Sequence, residues 1–167
     1  VDAEKMAIRP GAFPISAEEA NSLRTLTIVA CGTAYHAGVV GKYVIEKLAR
    51  LPVVVDVASE FRYRNPILGA GDCFLAISQS GETADTLAAM REAERLGAKV
   101  MALTNVVGSS IARTAGDCVM YTYAGPEIAV ASTKAYITQV EMMVLLAIDL
   151  GVKRGHLTES VASELLR

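Results

Sequence analysis

The 167-residue chain predicts an α/β fold, with helices packed on both faces of a five-stranded parallel sheet in a three-layer αβα sandwich. Three observations carry this. Short apolar runs alternate with helical stretches five times; the first run, Thr25–Ala30, is β-branched and apolar, as strands covered on both faces are; and turns bearing glycine or hydroxyls stand at three junctions. Alternation of this kind implies right-handed crossovers, with ligands bound beyond the carboxyl ends of the strands, near the point where strand order reverses.

Residues 1–24 are interrupted by Pro10, Gly11 and Pro14 and then turn polar, so they read as a linker into the domain. After the first strand, Cys31-Gly32-Thr33 makes a turn into a helix over 34–50. Val39, Val40, Tyr43, Val44 and Leu48 form its apolar stripe, with Lys42, Glu46 and Arg50 on the solvated face. Pro52 stops the helix, and Val53–Val57 is the second strand. A charged and aromatic stretch, 59–64, precedes a loop marked by Pro66, Gly69 and Gly71. The third strand, 73–77, runs into Ser78-Gln79-Ser80-Gly81-Glu82-Thr83 and a helix over 83–96. That helix carries Ala84, Leu87, Met90 and Ala93 on one face, and Gly97 stands where a helix-ending glycine belongs. Residues 99–103 form the fourth strand, Gly108-Ser109-Ser110 opens a short helix to Ala115, and 118–121 form the fifth strand. A loop from Gly125 to Lys134 leads into a long helix ending near Leu150. Eight of the nine residues over 140–148 are apolar, which predicts cover on both sides, by the sheet and by a second domain or subunit. The domain proper is read as 25–151, with 152–167 as a tail.

Composition narrows the function. A net charge of −2 without any basic run argues against nucleic acid and anionic membranes as partners. The apolar run 142–148 is too short to span a bilayer, and the N-terminal residues lack the features of a signal peptide, so the expected location is cytoplasmic. Cys31, Cys73 and Cys118 lack C-x-x-C spacing, which predicts no metal site and no disulfide framework; Cys73 and Cys118 are expected to be buried thiols. Dinucleotide and P-loop glycine motifs are absent, so no cofactor is expected.

The stretch Ser78 to Thr83 carries the chemistry. First-turn N–H groups of a helix lack intrahelical partners and the dipole is positive there, so a phosphate can be held without lysine. Gly81 allows a tight turn, and Ser78, Ser80 and Thr83 can donate hydroxyl protons. The same pattern also fits an ordinary N-cap, for which one hydroxyl is enough. Two further hydroxyl-bearing loops, Cys31-Gly32-Thr33 and 130–133, fall on the same edge of the sheet, and the three together predict a site for an anionic small molecule. Cys31 reads as a strand-end packing residue or a nucleophile, Glu82 as a dipole-complementing carboxylate or a general base, and His36 as a helix side chain or a site residue. Glu127 and Lys134 flank the third loop, while Arg62 and Arg64 read as a solvated loop or a clamp.

Four segments carry a resemblance: Ala30-Cys31-Gly32-Thr33, Ala58-Ser59-Glu60-Phe61-Arg62-Tyr63-Arg64, Ser78-Gln79-Ser80-Gly81-Glu82-Thr83-Ala84-Asp85-Thr86-Leu87 and Glu127-Ile128-Ala129-Val130-Ala131-Ser132-Thr133-Lys134-Ala135. In this order they resemble the sugar isomerase (SIS) region of the glutamine:fructose-6-phosphate aminotransferases. The resemblance implies a flavodoxin-like SIS domain, the first of two, within a homodimeric transferase that also carries a glutaminase. It implies hexose 6-phosphate as ligand, with Ser78, Gln79, Ser80 and Thr83 at the phosphate and Cys31, Gly32, Thr33 and Val130 along the sugar. Acid-base residues, in that family, belong to the second SIS domain, its tail or a neighbouring subunit, so no catalytic residue is assigned in this chain; the alternatives are a non-catalytic SIS sensor or regulator that reads a sugar phosphate, and a free-standing phosphosugar isomerase using Glu82 or His36. Many family members carry serine where this chain has Ala34, so one hydrogen bond to the ligand is either missing or supplied by water.

Overall fold

The computed structural model describes residues 1–129 and 132–167. Its first helix, α1 (Ala17–Ser22), opens with a capping box: Ser16 Oγ accepts from Glu19 N at 3.1 Å, and Glu19 Oε2 accepts from Ser16 N at 2.7 Å. Phe13, Ile15, Ala20 and Leu23 around it are buried, so the stretch read as a linker contributes to the core.

In chain order there follow β1 (Thr25–Ala30), α2 (Thr33–Ala49), β2 (Val53–Val57), α3 (Ala58–Phe61), β3 (Asp72–Ser78), α4 (Ala84–Arg95) and β4 (Lys99–Thr104). The chain continues with α5 (Ser110–Ala115), β5 (Val119–Tyr121), α6 (Lys134–Lys153) and α7 (Glu159–Leu165). All strand pairs are parallel in the order β2-β1-β3-β4-β5, the flavodoxin-like arrangement in which order reverses between β1 and β3. Alternate residues feed two cores. Leu26, Ile28, Cys73, Leu75 and Ile77 meet α2 and α6 on one face; Val29, Phe74 and Ala76 meet α3 and α4 on the other.

Local packing departs from the simple periodicity in four places. The buried stripe of α2 is the small-residue one, Ala34, Ala37, Gly38, Gly41, Ile45 and Ala49, and Tyr43 is 67% exposed. Backbone proximity selects it: a Cβ on Gly38 would lie 2.9 Å from Ile28 Cγ2, and one on Gly41 2.8 Å from Met143 Cγ. In α4, Ala84 is exposed and Thr86, Ala89, Met90 and Ala93 are buried, the i, i+3, i+4, i+7 stripe of which Ala89, Met90 and Ala93 share a core with Phe61 and Phe74. The charged stretch after β2 holds the one-turn helix α3, fixed by Phe61 against Phe74 at 5.3 Å between ring centroids. Cys73 is buried, which pushes its thiol up to about 12, whereas Cys118 lies half-buried in a 3-10 turn before β5.

Lys42 and Glu46 also do more than face solvent. Lys42 Nζ donates to Glu46 at 2.6 Å and to Val53 O at 2.6 Å, while Glu46 accepts from Val53 N at 3.1 Å. The pair closes the start of the edge strand. Helix α6 is long and apolar enough, by length and composition, to cross a bilayer; here Met143, Leu146, Ala147 and Leu150 pack into the core while Ile137 stays exposed.

Candidate functional site

A cleft of about 250 Å³ opens at the carboxyl ends of β1 and β3, where strand order reverses. Cys31, Gly32, Thr33 and Ala34 form one wall, Ser78, Gln79, Ser80 and Thr83 the floor, and Glu127, Ala129 and Ser132 the opposite wall. Three loops read separately from sequence therefore meet in one place. Val130, expected along the sugar, lies outside the described residues.

The floor is built around Gly81. Its φ is +68°, a region that favours glycine, and a Cβ there would lie 2.0 Å from Ser109 Oγ and 2.8 Å from Thr104 Oγ1. Around this turn the hydroxyls accept from backbone: Gly81 N donates to Ser78 Oγ at 3.1 Å, and Glu82 N donates to Ser80 Oγ at 3.2 Å. Ser78 and Thr83 hydroxyls lie 3.2 Å apart. A hydroxyl that has accepted an N–H still has its own proton to give, so Ser80 and one of the Ser78–Thr83 pair are left as donors toward the cleft. Ser78 itself is only 4% exposed and acts mainly by holding Gly81 and Thr83.

Electrostatics come from helix ends. Thr83 stands at the N-cap of α4 without making a side-chain cap, and among the described residues the N–H groups of Ala84, Asp85 and Thr86 have no protein partner. The start of α2 at Gly32 is likewise uncapped by a side chain. Both first turns therefore offer free donors and positive dipole ends to one cleft.

Neighbouring acids are already engaged. Glu82 is exposed and accepts from Ser110 N at 2.8 Å; hydrogen bonding from Ser110 holds its pKa below the ordinary glutamate value. It anchors the start of α5 rather than that of α4, the helix it precedes, and does not line the cleft. Glu127 Oε2 accepts from Thr133 N at 3.2 Å, Ala135 N at 3.3 Å and Ser132 Oγ at 3.3 Å, which places its carboxylate at the start of α6. Desolvation opposes its charge, and the donated hydrogen bonds outweigh it, so its pKa is lowered. His36 is exposed and packs edge-on against Tyr35, while Arg62 pairs with Asp85 at 3.5 Å and Arg64 with Asp56. None of the three lines the cleft. Among the described residues no group of three His, Cys, Asp or Glu is placed to hold a metal.

Sequence reasoning passed over Thr104 and Asn105 and read Ser109 only as the opening of a helix, yet all three support the floor and the third loop from β4 and the start of α5. The signal was available, since all three sit at or just beyond the carboxyl end of a strand, on the edge where the other loops were sought.

Residues 21–149 match the family described as the SIS domain. The chain belongs to the SIS domain family. Two relatives named glutamine–fructose-6-phosphate aminotransferase (isomerizing) extend the likeness: that of Clostridium tetani is 61% identical over 90% of this chain, and that of Symbiobacterium thermophilum 60% identical over 91%. This SIS chain spans 25% of the length of either relative. The C-terminal domain of glucosamine-fructose-6-phosphate aminotransferase from Francisella tularensis superposes with a TM-score of 0.85 at 40% identity, over 90% of this chain and 42% of that one.

Proposed function

We propose that this SIS domain is the fructose 6-phosphate-binding part of the isomerase module of an aminotransferase that makes glucosamine 6-phosphate from fructose 6-phosphate and glutamine. One observation carries the reading: two helix starts without side-chain caps and the hydroxyls of Ser80 and Thr83 face the same 250 Å³ cleft. The phosphate would sit on the first turn of α4, held by its free N–H groups and by Ser78, Gln79, Ser80 and Thr83. Cys31, Gly32, Thr33 and the third loop, Val130 included, would run along the sugar. The naming of the relatives supports the choice of a hexose phosphate.

The parent reaction is isomerisation by proton transfer between C1 and C2 after ammonia has formed an imine at C2. Among the described residues, Cys31 and Glu127 are the only acidic or thiol groups lining the cleft, and Glu127 is committed to α6. The domain therefore binds and orients, and proton transfer falls to a second SIS domain in a cytoplasmic homodimer that also carries a glutaminase. Residues 25–151 form the binding unit in this scheme. A free-standing isomerase using Glu82 or His36 is disfavoured, because neither side chain lines the cleft.

Thermal unfolding with fructose 6-phosphate against plain fructose tests the binding. Stabilisation by the phosphorylated sugar alone is expected; equal effects overturn the reading. Glucosamine 6-phosphate formation from fructose 6-phosphate and ammonia tests the division of labour, and robust turnover by this chain alone would contradict it.

A further inference from the structure

Asn105 follows the last residue of β4 and spends its groups on two loops. Its backbone N–H donates to Gln79 O at 3.2 Å, and Thr104 Oγ1 donates to the same carbonyl at 3.4 Å, so β4 is tied to the floor of the cleft. The side chain turns the other way. Nδ2 donates to Gly125 O at 2.8 Å, while Oδ1 accepts from Ala124 N at 2.7 Å and from Thr122 Oγ1 at 3.0 Å. Between these contacts the chain passes through Tyr123 at φ +51° and Gly125 at φ +75°, two left-handed residues in a loop without other regular structure. A non-glycine residue held at positive φ needs something to hold it there. The same loop goes on to deliver Glu127 and Ala129 to the far wall of the cleft.

We propose that Asn105 is a positioning residue for the sugar, setting the third loop at a fixed distance from the phosphate floor. This rests on the hexose phosphate reading above. The floor has its own supports in Ser78, Gly81 and Ser109, so it survives loss of the Asn105 side chain. The far wall is held to α6 through Glu127 and to the sheet edge through Thr122 N, which donates to Thr104 O at 3.1 Å, and the three side-chain bonds of Asn105, so removing the Asn105 bonds loosens the sheet-side hold of the wall that faces the sugar while sparing the phosphate. A residue that merely stabilised the fold would weaken both ligands alike.

NMR titrations with fructose 6-phosphate and with inorganic phosphate, which detect millimolar binding, separate these cases. Asn105→Ala is expected to weaken fructose 6-phosphate about tenfold and leave inorganic phosphate within about twofold. Thr122→Val removes one bond of the network and is expected to show the same selectivity at about threefold. Proportional loss of both ligands, or no change in either, overturns the proposal; if Asn105→Ala does not fold, unchanged sugar phosphate affinity in Thr122→Val overturns it alone. Wild-type protein that does not distinguish fructose 6-phosphate from fructose overturns the hexose phosphate reading instead.

Discussion

Helices α4 and α5 begin at the same edge of the sheet, after β3 and β4, and their first turns are treated in opposite ways. At α5, Ser109 Oγ accepts from Ala112 N at 3.4 Å and Glu82 accepts from Ser110 N at 2.8 Å. At α4, Thr83 is an equally good capping residue by type, yet its hydroxyl turns to Ser78 and the first-turn N–H groups stay open. Away from the cleft the rule is ordinary: Ser16 caps α1 and Thr158 caps α7. A cap and a phosphate compete for the same donors. At α4 the cap is left unmade although a hydroxyl stands in place to make it.

The largest effect should follow from closing the turn that keeps α4 open. Gly81→Ala places a Cβ against Ser109 at positive φ and is expected to cost about 2–4 kcal/mol in urea unfolding, with loss of sugar phosphate binding. Next in size is the ligand itself: Ser80→Ala and Thr83→Ala should each raise the fructose 6-phosphate Kd about tenfold by titration. The comparison sharpens when stability is read on the same variants. Thr83→Ala should cost only about 0.5 kcal/mol, since it removes no cap, whereas Ser16→Ala should cost about 1 kcal/mol and leave affinity unchanged. Equal stability losses at the two positions would break the distinction.

The smallest effect is a pH dependence at the capped end. Glu19 accepts from Lys99 Nζ at 2.6 Å and from Ser16 N, and these bonds lower its pKa from 4.5 to about 2. Because the folded value is depressed, this contribution is fully present above pH 4.5 and is lost as pH falls toward 2. Acid unfolding of Glu19→Gln should show a shallower loss across that window. The carboxylate is about half exposed, so salt should shrink the difference.

Strand positions, their parallel pairing and the three site loops were legible in the sequence. Buried parallel strands are apolar on both faces and punctuated by Gly and Pro, a signal that survives without knowledge of neighbours. Helix faces were less legible. The stripe of α2 was misread because valine and tyrosine look like core, while the true contact is made by Gly38 and Gly41, chosen for what approaches them. The short α1, α3 and α7 were missed because a helix of one or two turns depends on its cap and its packing more than on periodicity.

By itself the sequence determined that a strand would hand hydroxyls and a glycine to a helix start, because turn chemistry and local hydrogen bonding are encoded within six residues. Whether that start is a cap or a ligand site depended on where the Thr83 hydroxyl points and on what else occupies the edge. Only the tertiary structure showed that the cap is left unmade and that the three loops meet there, since Ser109 crowding Gly81, Glu82 reaching Ser110 and Asn105 holding the third loop are contacts between segments distant in the chain.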